Sequence, residues 1–202
     1  MLNSRATLHE YRTFLSRALQ RPSTVGAVLP TSQHVASAVA DVVPATGTPT
    51  VVELGPGTGA LTDLVEQRLP SGSRHLAVEI DPDMVDYLRR SRPWLEVHHA
   101  DAADLPTLLN QQGITHVDAV ISSIPWTLLP LYQQRRALDA VAHSLAPHGV
   151  FTALTYITAL WRPGSAAFDR ALRTTFEEVV PRTPVWRNVP PARVYICRRA
   201  RP

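Results

Sequence analysis

The sequence predicts an α/β fold with a mostly parallel, doubly wound sheet of seven strands, and three observations carry that expectation. From Thr50 onward, short β-rich runs alternate with helical stretches. A glycine turn, "GPGTG", separates the first run from the helix after it. The chain closes on two β-rich runs, "TFEEVVPRTPVWRN" and "ARVYICRR", joined by a proline-containing corner. Two final strands in succession read as an antiparallel hairpin at the sheet edge.

The elements follow in order. Leu8, Tyr11, Leu15, Ala18 and Leu19 recur at helical spacing over residues 2–20, with Arg5, Arg12 and Arg17 between them; this is an amphipathic helix. Pro22, Gly26 and Pro30 break it into an extended segment. Thr31-Ser32 offers N-caps for a second helix reaching about Val42. Residues 1–49 therefore read as a helical arm, and 50–202 as the main domain. "TVVEL" is the first strand, followed by the glycine turn and a helix to about Leu69. "HLAVEI" is the second, with a helix over 82–91 that carries Pro82 in its first turn. "LEVHH" is the third and "VDAVISS" the fourth; "LYQQRRALDAVAHSL" is a long helix and "GVFTALTYI" the fifth strand. Neither internal repeats nor low-complexity tracts interrupt this pattern.

With 202 residues, 45% of them hydrophobic, the chain suits one core-bearing domain plus the arm. No run approaches the ~18 apolar residues of a membrane span, and charges break the N-terminus before any export signal could form. A cytoplasmic protein is expected. A single cysteine, Cys197, excludes an internal disulfide framework and a thiolate metal cluster, and His98-His99 lacks the partners of a metal site. Charge divides by region: residues 1–50 hold four Arg against two acids, 51–150 seven against twelve, and 151–202 nine against three. The flanks are basic and the middle is acidic. All 20 basic residues are Arg, a bias that base composition explains and that a polyanionic partner would also suit.

Gly55, Gly57 and Gly59 permit a tight turn and close approach of a ligand to backbone N–H groups. Gly55, Gly57 and Ala60 also satisfy the dinucleotide fingerprint. Glu53 argues against that ligand. It lies two residues before the first glycine, where it would repel a diphosphate but suit an ammonium and a sulfonium. Glu79 ends the second strand, placed to accept ribose hydroxyls, and Asp101 follows the third, placed to meet an adenine amine. Ile80 and Ala102 adjoin them. Carboxylates at three successive strand tips describe a pocket for S-adenosylmethionine.

The corner Ser122-Ser123-Ile124-Pro125-Trp126 ends the fourth strand, at the edge where open α/β sheets bind ligands. Pro125 leaves the preceding carbonyl without a ladder partner, free to accept from an amine, and Trp126 can offer its π-face to a cation. On this reading Ser122 touches the cofactor and Ser123, Pro125 and Trp126 line the acceptor site.

The corner resembles that of rRNA adenine dimethylases, with Ser123 in their asparagine position. More of the chain resembles the bacterial phospholipid N-methyltransferases: "VGAVLPTS" (25–32), "ELGPGTGALT" (53–62), "AVEID" (77–81), "ADAADL" (100–105), "SSIPWTLLP" (122–130) and "RNVPPARVYICRR" (187–199) occur in order. The resemblance implies a Rossmann-like class I methyltransferase that transfers methyl groups from S-adenosylmethionine to the amine of an aminophospholipid, phosphatidylethanolamine and its methylated forms. It implies that the N-terminal helix docks on an anionic membrane surface at the inner face and covers the site, with Tyr11 at the headgroup. Thr31-Ser32 would bind the cofactor's carboxylate and Tyr156 would complete the acceptor pocket. Neither nucleic acid nor metal is expected as a partner. A small-molecule or natural-product methyltransferase on the same fold is the first alternative, and an rRNA adenine methyltransferase the second.

Overall fold

The computed structural model describes residues 33–159, 163–186 and 191–201. The helix expected over 2–20, Tyr11, the Thr31-Ser32 caps and most of the "RNVPPA" stretch lie outside the described residues.

Helix α1 (Gln33–Ala40) leads into strand β1 (Thr50–Leu54). After the glycine turn come α2 (Thr62–Glu66), β2 (Arg74–Glu79), α3 (Pro82–Ser91) and β3 (Glu96–His99). Then follow α4 (Leu105–Gln111), β4 (Val117–Ser122), α5 (Leu131–Ser144) and β5 (Leu145–Tyr156). The chain finishes with α6 (Pro163–Thr175), β6 (Phe176–Pro181) and β7 (Ala192–Ala200). The seven strands lie in the order β3-β2-β1-β4-β5-β7-β6. The first five are parallel; β7 pairs antiparallel to both β5 and β6. The C-terminal hairpin is thus where the sequence placed it, with β6 outermost.

Alternation along each strand splits the apolar residues between two cores. Val52, Leu54, Leu76, Val78, Val120 and Phe151 face one cluster with Leu138 and Leu172 of the helices α5 and α6. Val51, Ala119, Ile121, Leu154 and Ile196 face the other, with Val35, Val39 and Val65. Val35 and Val39 belong to α1, so this part of the expected arm is built into the sheet's core. A third cluster seats α3 through Val85 and Leu88 on Ala77 and Val97. The start of α3 is explained locally: Pro82 occupies its first turn, and the Asp81 carboxylate accepts from Asp83 N at 2.9 Å and Met84 N at 3.3 Å.

The sequence reading runs from the fifth strand directly to the final pair. The structure inserts α6 between them, signalled by buried Phe168, Ala171 and Leu172 at positions i, i+3 and i+4. Cys197 is buried, which pushes its thiol pKa up to about 12; it packs as a small apolar side chain.

Candidate active site

The glycine turn takes the conformation its composition demands. Gly55, Gly57 and Gly59 all have positive φ, at 65°, 59° and 82°, a region costly for residues with a Cβ. Two of them are also held at close quarters. A Cβ on Gly55 would lie 3.1 Å from Ile124 Cγ1, and one on Gly59 would lie 2.6 Å from the Arg92 guanidinium carbon. The first contact joins the turn to the Ser123–Pro125 corner, so the structure brings together two motifs about seventy residues apart. The second reveals a clamp that no local pattern announces. Arg92 pairs with Asp63 through two bonds of 2.8 Å and reaches the Gly59 carbonyl at 3.3 Å. The Arg92 hydrogen bond holds the Asp63 carboxyl below its ordinary pKa.

Glu79 is 1% exposed and sits at the tip of β2. Its Oε1 accepts from Ile80 N at 2.8 Å and Asp81 N at 3.0 Å; its Oε2 accepts from Gly57 N at 3.0 Å. The carboxylate ties the glycine turn to its own strand end. Three acceptor positions are taken, which leaves room for one hydroxyl rather than the two expected from sequence. Burial raises its pKa above the ordinary value, opposed by the three N–H donors and reinforced by Asp81.

Glu53, on the neighbouring strand, is fully buried. Thr62 Oγ1 donates to its Oε2 at 2.7 Å, and His75 Nε2 lies 3.6 Å from the same oxygen. The other oxygen, Oε1, has no hydrogen-bond partner among the described residues. A buried carboxylate oxygen without a donor carries a desolvation cost of about 1–3 kcal/mol or more. A ligand ammonium would satisfy it. His75 is itself held between Glu53 and Glu66, whose Oε2 is 3.3 Å from Nδ1, and lies beside the Trp94 ring at 5.9 Å. Asp101 follows β3, half-buried, and spends one oxygen on Ala103 N at 2.9 Å; among the described residues no bond to its second oxygen competes with an amine donor. Ile80 and Ala102 are also half-buried.

The corner corrects three expectations. Pro125 has φ −75° and ψ 68°, an inverse γ-turn, and the Ile124 carbonyl before it accepts from Trp126 N at 2.8 Å. That carbonyl is therefore engaged. Trp126 is 1% exposed. Its ring stacks on Phe168 at 5.0 Å and meets the edge of Phe151 at 5.9 Å. Phe168, not a ligand cation, occupies the stacking face, because the apolar indole gains more from the core between β5 and α6. Ser122 is equally buried, and its Oγ accepts from the Trp126 indole N–H at 3.0 Å and Ile124 N at 3.3 Å. It shapes the corner from beneath instead of touching a cofactor. Ser123, Ile124 and Pro125 remain half-exposed, with Ser123 N bonded to Leu54 O at 3.0 Å. Tyr156 ends β5 half-buried against the core cluster on the α1 side.

Sequence reasoning missed Thr62, His75, Arg92 and Gln134. Gln134, fully buried, donates through Nε2 to the carbonyls of Trp126 at 2.9 Å and Leu129 at 3.1 Å, pinning the turn after the corner to α5. Thr62 had a signal, a hydroxyl residue in the first turn after the glycines. His75 and Arg92 act across distances in the chain that only folding closes, whereas Gln134 reaches back five and eight residues to the turn before its helix. Among the described residues no cluster of His, Cys, Asp and Glu is able to hold a metal, and no helix is long and apolar enough to cross a membrane.

The donor-free Glu53 oxygen, the open acceptor position on Glu79 and the positive-φ turn fit S-adenosylmethionine, with its ammonium, ribose and amine. Comparison with known proteins agrees. Residues 51–149 match the family described as "Methyltransferase domain". Over 196 residues the chain is 31% identical to an ornithine lipid N-methyltransferase of Singulisphaera acidiphila, covering 95% of this chain and 97% of that one. A ribosomal RNA small subunit methyltransferase A of Geobacter metallireducens is 37% identical over 86 residues, which is 40% of this chain and 30% of that protein. Among solved structures, an O-methyltransferase from Bacillus cereus in complex with SAH shares the fold with a TM-score of 0.64, at 14% identity, over 98% of this chain and 93% of that one. The chain belongs to the class I S-adenosylmethionine-dependent methyltransferases.

Proposed function

We propose that this enzyme methylates the amine of a membrane lipid headgroup, an aminophospholipid such as phosphatidylethanolamine and its methylated forms. The end-to-end similarity to a lipid N-methyltransferase carries the reading. The similarity to the rRNA enzyme stops within less than half of the chain, and Ser123 stands where those enzymes carry asparagine.

When bound, S-adenosylmethionine supplies a methyl group activated on sulfonium. The remaining work belongs to the chain. Gly55, Gly57 and Gly59 hold a backbone cradle, Glu53 takes the ammonium, Glu79 takes a ribose hydroxyl, and Asp101 takes the adenine amine, flanked by Ile80 and Ala102. Thr31 and Ser32 are proposed for the carboxylate. Ser123 and Pro125, on either side of the Ile124 that rests on the glycine turn, face the incoming amine; Tyr156 and Tyr11 are proposed to border it. Alignment of donor and acceptor and exclusion of water are the main contributions such a site makes to methyl transfer. Ser122, Trp126 and Gln134 set the corner's position.

The test is transfer of labelled methyl from S-adenosylmethionine to phosphatidylethanolamine vesicles, ornithine lipid vesicles, soluble amines and ribosomal RNA. Label in an extracted lipid is the expected result. Label only in soluble amines would move the enzyme to the small-molecule class, and label only in RNA would overturn the lipid reading.

A further inference from the structure

The carboxyl ends of the strands carry more than the site. The connection from β4 through the corner delivers α5 at this end, and its first residues, Leu131 and Tyr132, are 45% and 49% exposed. One helical turn on, Arg135 and Arg136 are exposed, and neither has a carboxylate partner among the described residues. The spacing i, i+4 stacks Arg135 behind Leu131 and Arg136 behind Tyr132, and helical side chains lean back toward the N-terminus, here toward the end that carries the site. The link from β6 to β7 reaches the same end, because β6 runs in the direction of β5. In it Val185 bridges to Ala192, which is opposite Tyr156, and Trp186 next to it is 69% exposed. Val185 packs with the core cluster on the α1 side, whereas α5 covers the other face. Exposed apolar groups therefore flank the strand ends from both faces of the sheet.

We propose that the beginning of α5 and the Trp186 link form the surface by which the enzyme docks on an anionic bilayer. The inference rests on the lipid reading above. A headgroup amine cannot travel far from its bilayer, so the strand ends must be brought to the membrane. The groups at that end have the chemistry an interface selects: indole, phenol and leucyl groups for the headgroup boundary, and arginines for anionic lipid. Trp94, another exposed indole, precedes β3 at the opposite end and packs on His75.

The experiment measures partitioning of the full chain onto vesicles of equal parts phosphatidylglycerol and phosphatidylethanolamine, with pure phosphatidylcholine vesicles beside them. Trp186→Ser with Leu131→Ser and Tyr132→Ser is expected to weaken partitioning about tenfold or more. Arg135→Gln with Arg136→Gln is expected to weaken it about fivefold per arginine on the anionic vesicles and little on the neutral ones. Arg90→Gln, an exposed arginine on α3, serves as control and leaves partitioning unchanged. Methyl transfer to vesicle lipid falls with partitioning, while transfer to a dissolved short-chain phosphatidylethanolamine is unaltered. Wild-type partitioning by both sets of variants, or equal loss with Arg90→Gln, overturns the docking surface. Absence of lipid methylation by the unaltered enzyme, in vesicles and dissolved alike, overturns the lipid reading instead, and partitioning still decides the surface.

Discussion

The two halves of the site are built from different materials. On the β1–β2 side, Glu53, Glu79, Thr62, Asp63 and Arg92 hold the glycine turn through hydrogen bonds and an ion pair. On the β4–β5 side, the corner is held by the packing of Trp126 on Phe151 and Phe168, with Ser122 and Gln134 trimming its backbone. In the first half, the groups that would bind cofactor also maintain their own loop. In the second, the groups that maintain the corner are hidden, and those left exposed are small. Mutations on the two sides should therefore separate: polar changes near β1 and β2 alter affinity, and apolar changes near β4 alter stability.

The largest expected effect is Trp126→Ala, which removes a fully buried indole and should destabilise the fold by about 3–5 kcal/mol. Thermal or denaturant unfolding measures it. A Trp126→Ala enzyme of unchanged stability that had lost only turnover would restore the ring to the acceptor site and break the comparison.

Next comes Gly59→Ala. It forces a Cβ into the left-handed region and against Arg92, costing about 1–2 kcal/mol in backbone conformation alone. Calorimetry should show weaker S-adenosylmethionine binding. An unchanged Kd would separate the turn from the cofactor.

Thr62→Val removes the donor to a buried carboxylate oxygen and should cost about 1–3 kcal/mol. If it acts through Glu53, the loss in cofactor affinity exceeds that seen in Glu53→Gln carrying the same change. Equal losses in both backgrounds would assign Thr62 to folding only.

The pH dependence of Kd sharpens the role of Glu79. Its pKa is raised by burial above 4.5, so the carboxyl gains its proton at a higher pH than an exposed glutamate and then loses acceptor capacity. Affinity should fall as pH drops through that raised value, and Glu79→Gln should flatten the step. Stability takes the opposite sign: this group's contribution is fully present below the unfolded pKa and is lost as pH rises through the folded one. The smallest effect belongs to Arg92→Lys. The Asp63 side chain is 56% exposed, so loss of the bidentate pair should cost about 1 kcal/mol or less in stability, with a larger proportional effect on cofactor affinity through Gly59. An effect on stability alone would make the clamp merely structural.

Much of this molecule could be read without coordinates because its signals are local. Strand alternation, glycines before a helix, Asp81-Pro82 at a helix start and acids at three strand tips each depend on neighbours a few residues away. The α6 helix shows the limit of that reading, since its apolar stripe was present but lay between two stronger β patterns. The corner shows a deeper limit. "SSIPW" has the same composition whether its indole faces a ligand or a core, and the choice depends on Phe168, more than forty residues later.

By itself, then, the sequence determined the order of the strands, the glycine turn and the carboxylates at the strand tips, because hydrophobic period and backbone preference are properties of short segments. Tertiary structure alone decided that Arg92 stands behind Gly59, that Glu53 keeps one oxygen without a donor among the described residues, and that Trp126 belongs to the core. Those outcomes depend on which distant side chains compete for the same space and the same hydrogen bonds, a competition that exists only once the sheet has brought them together.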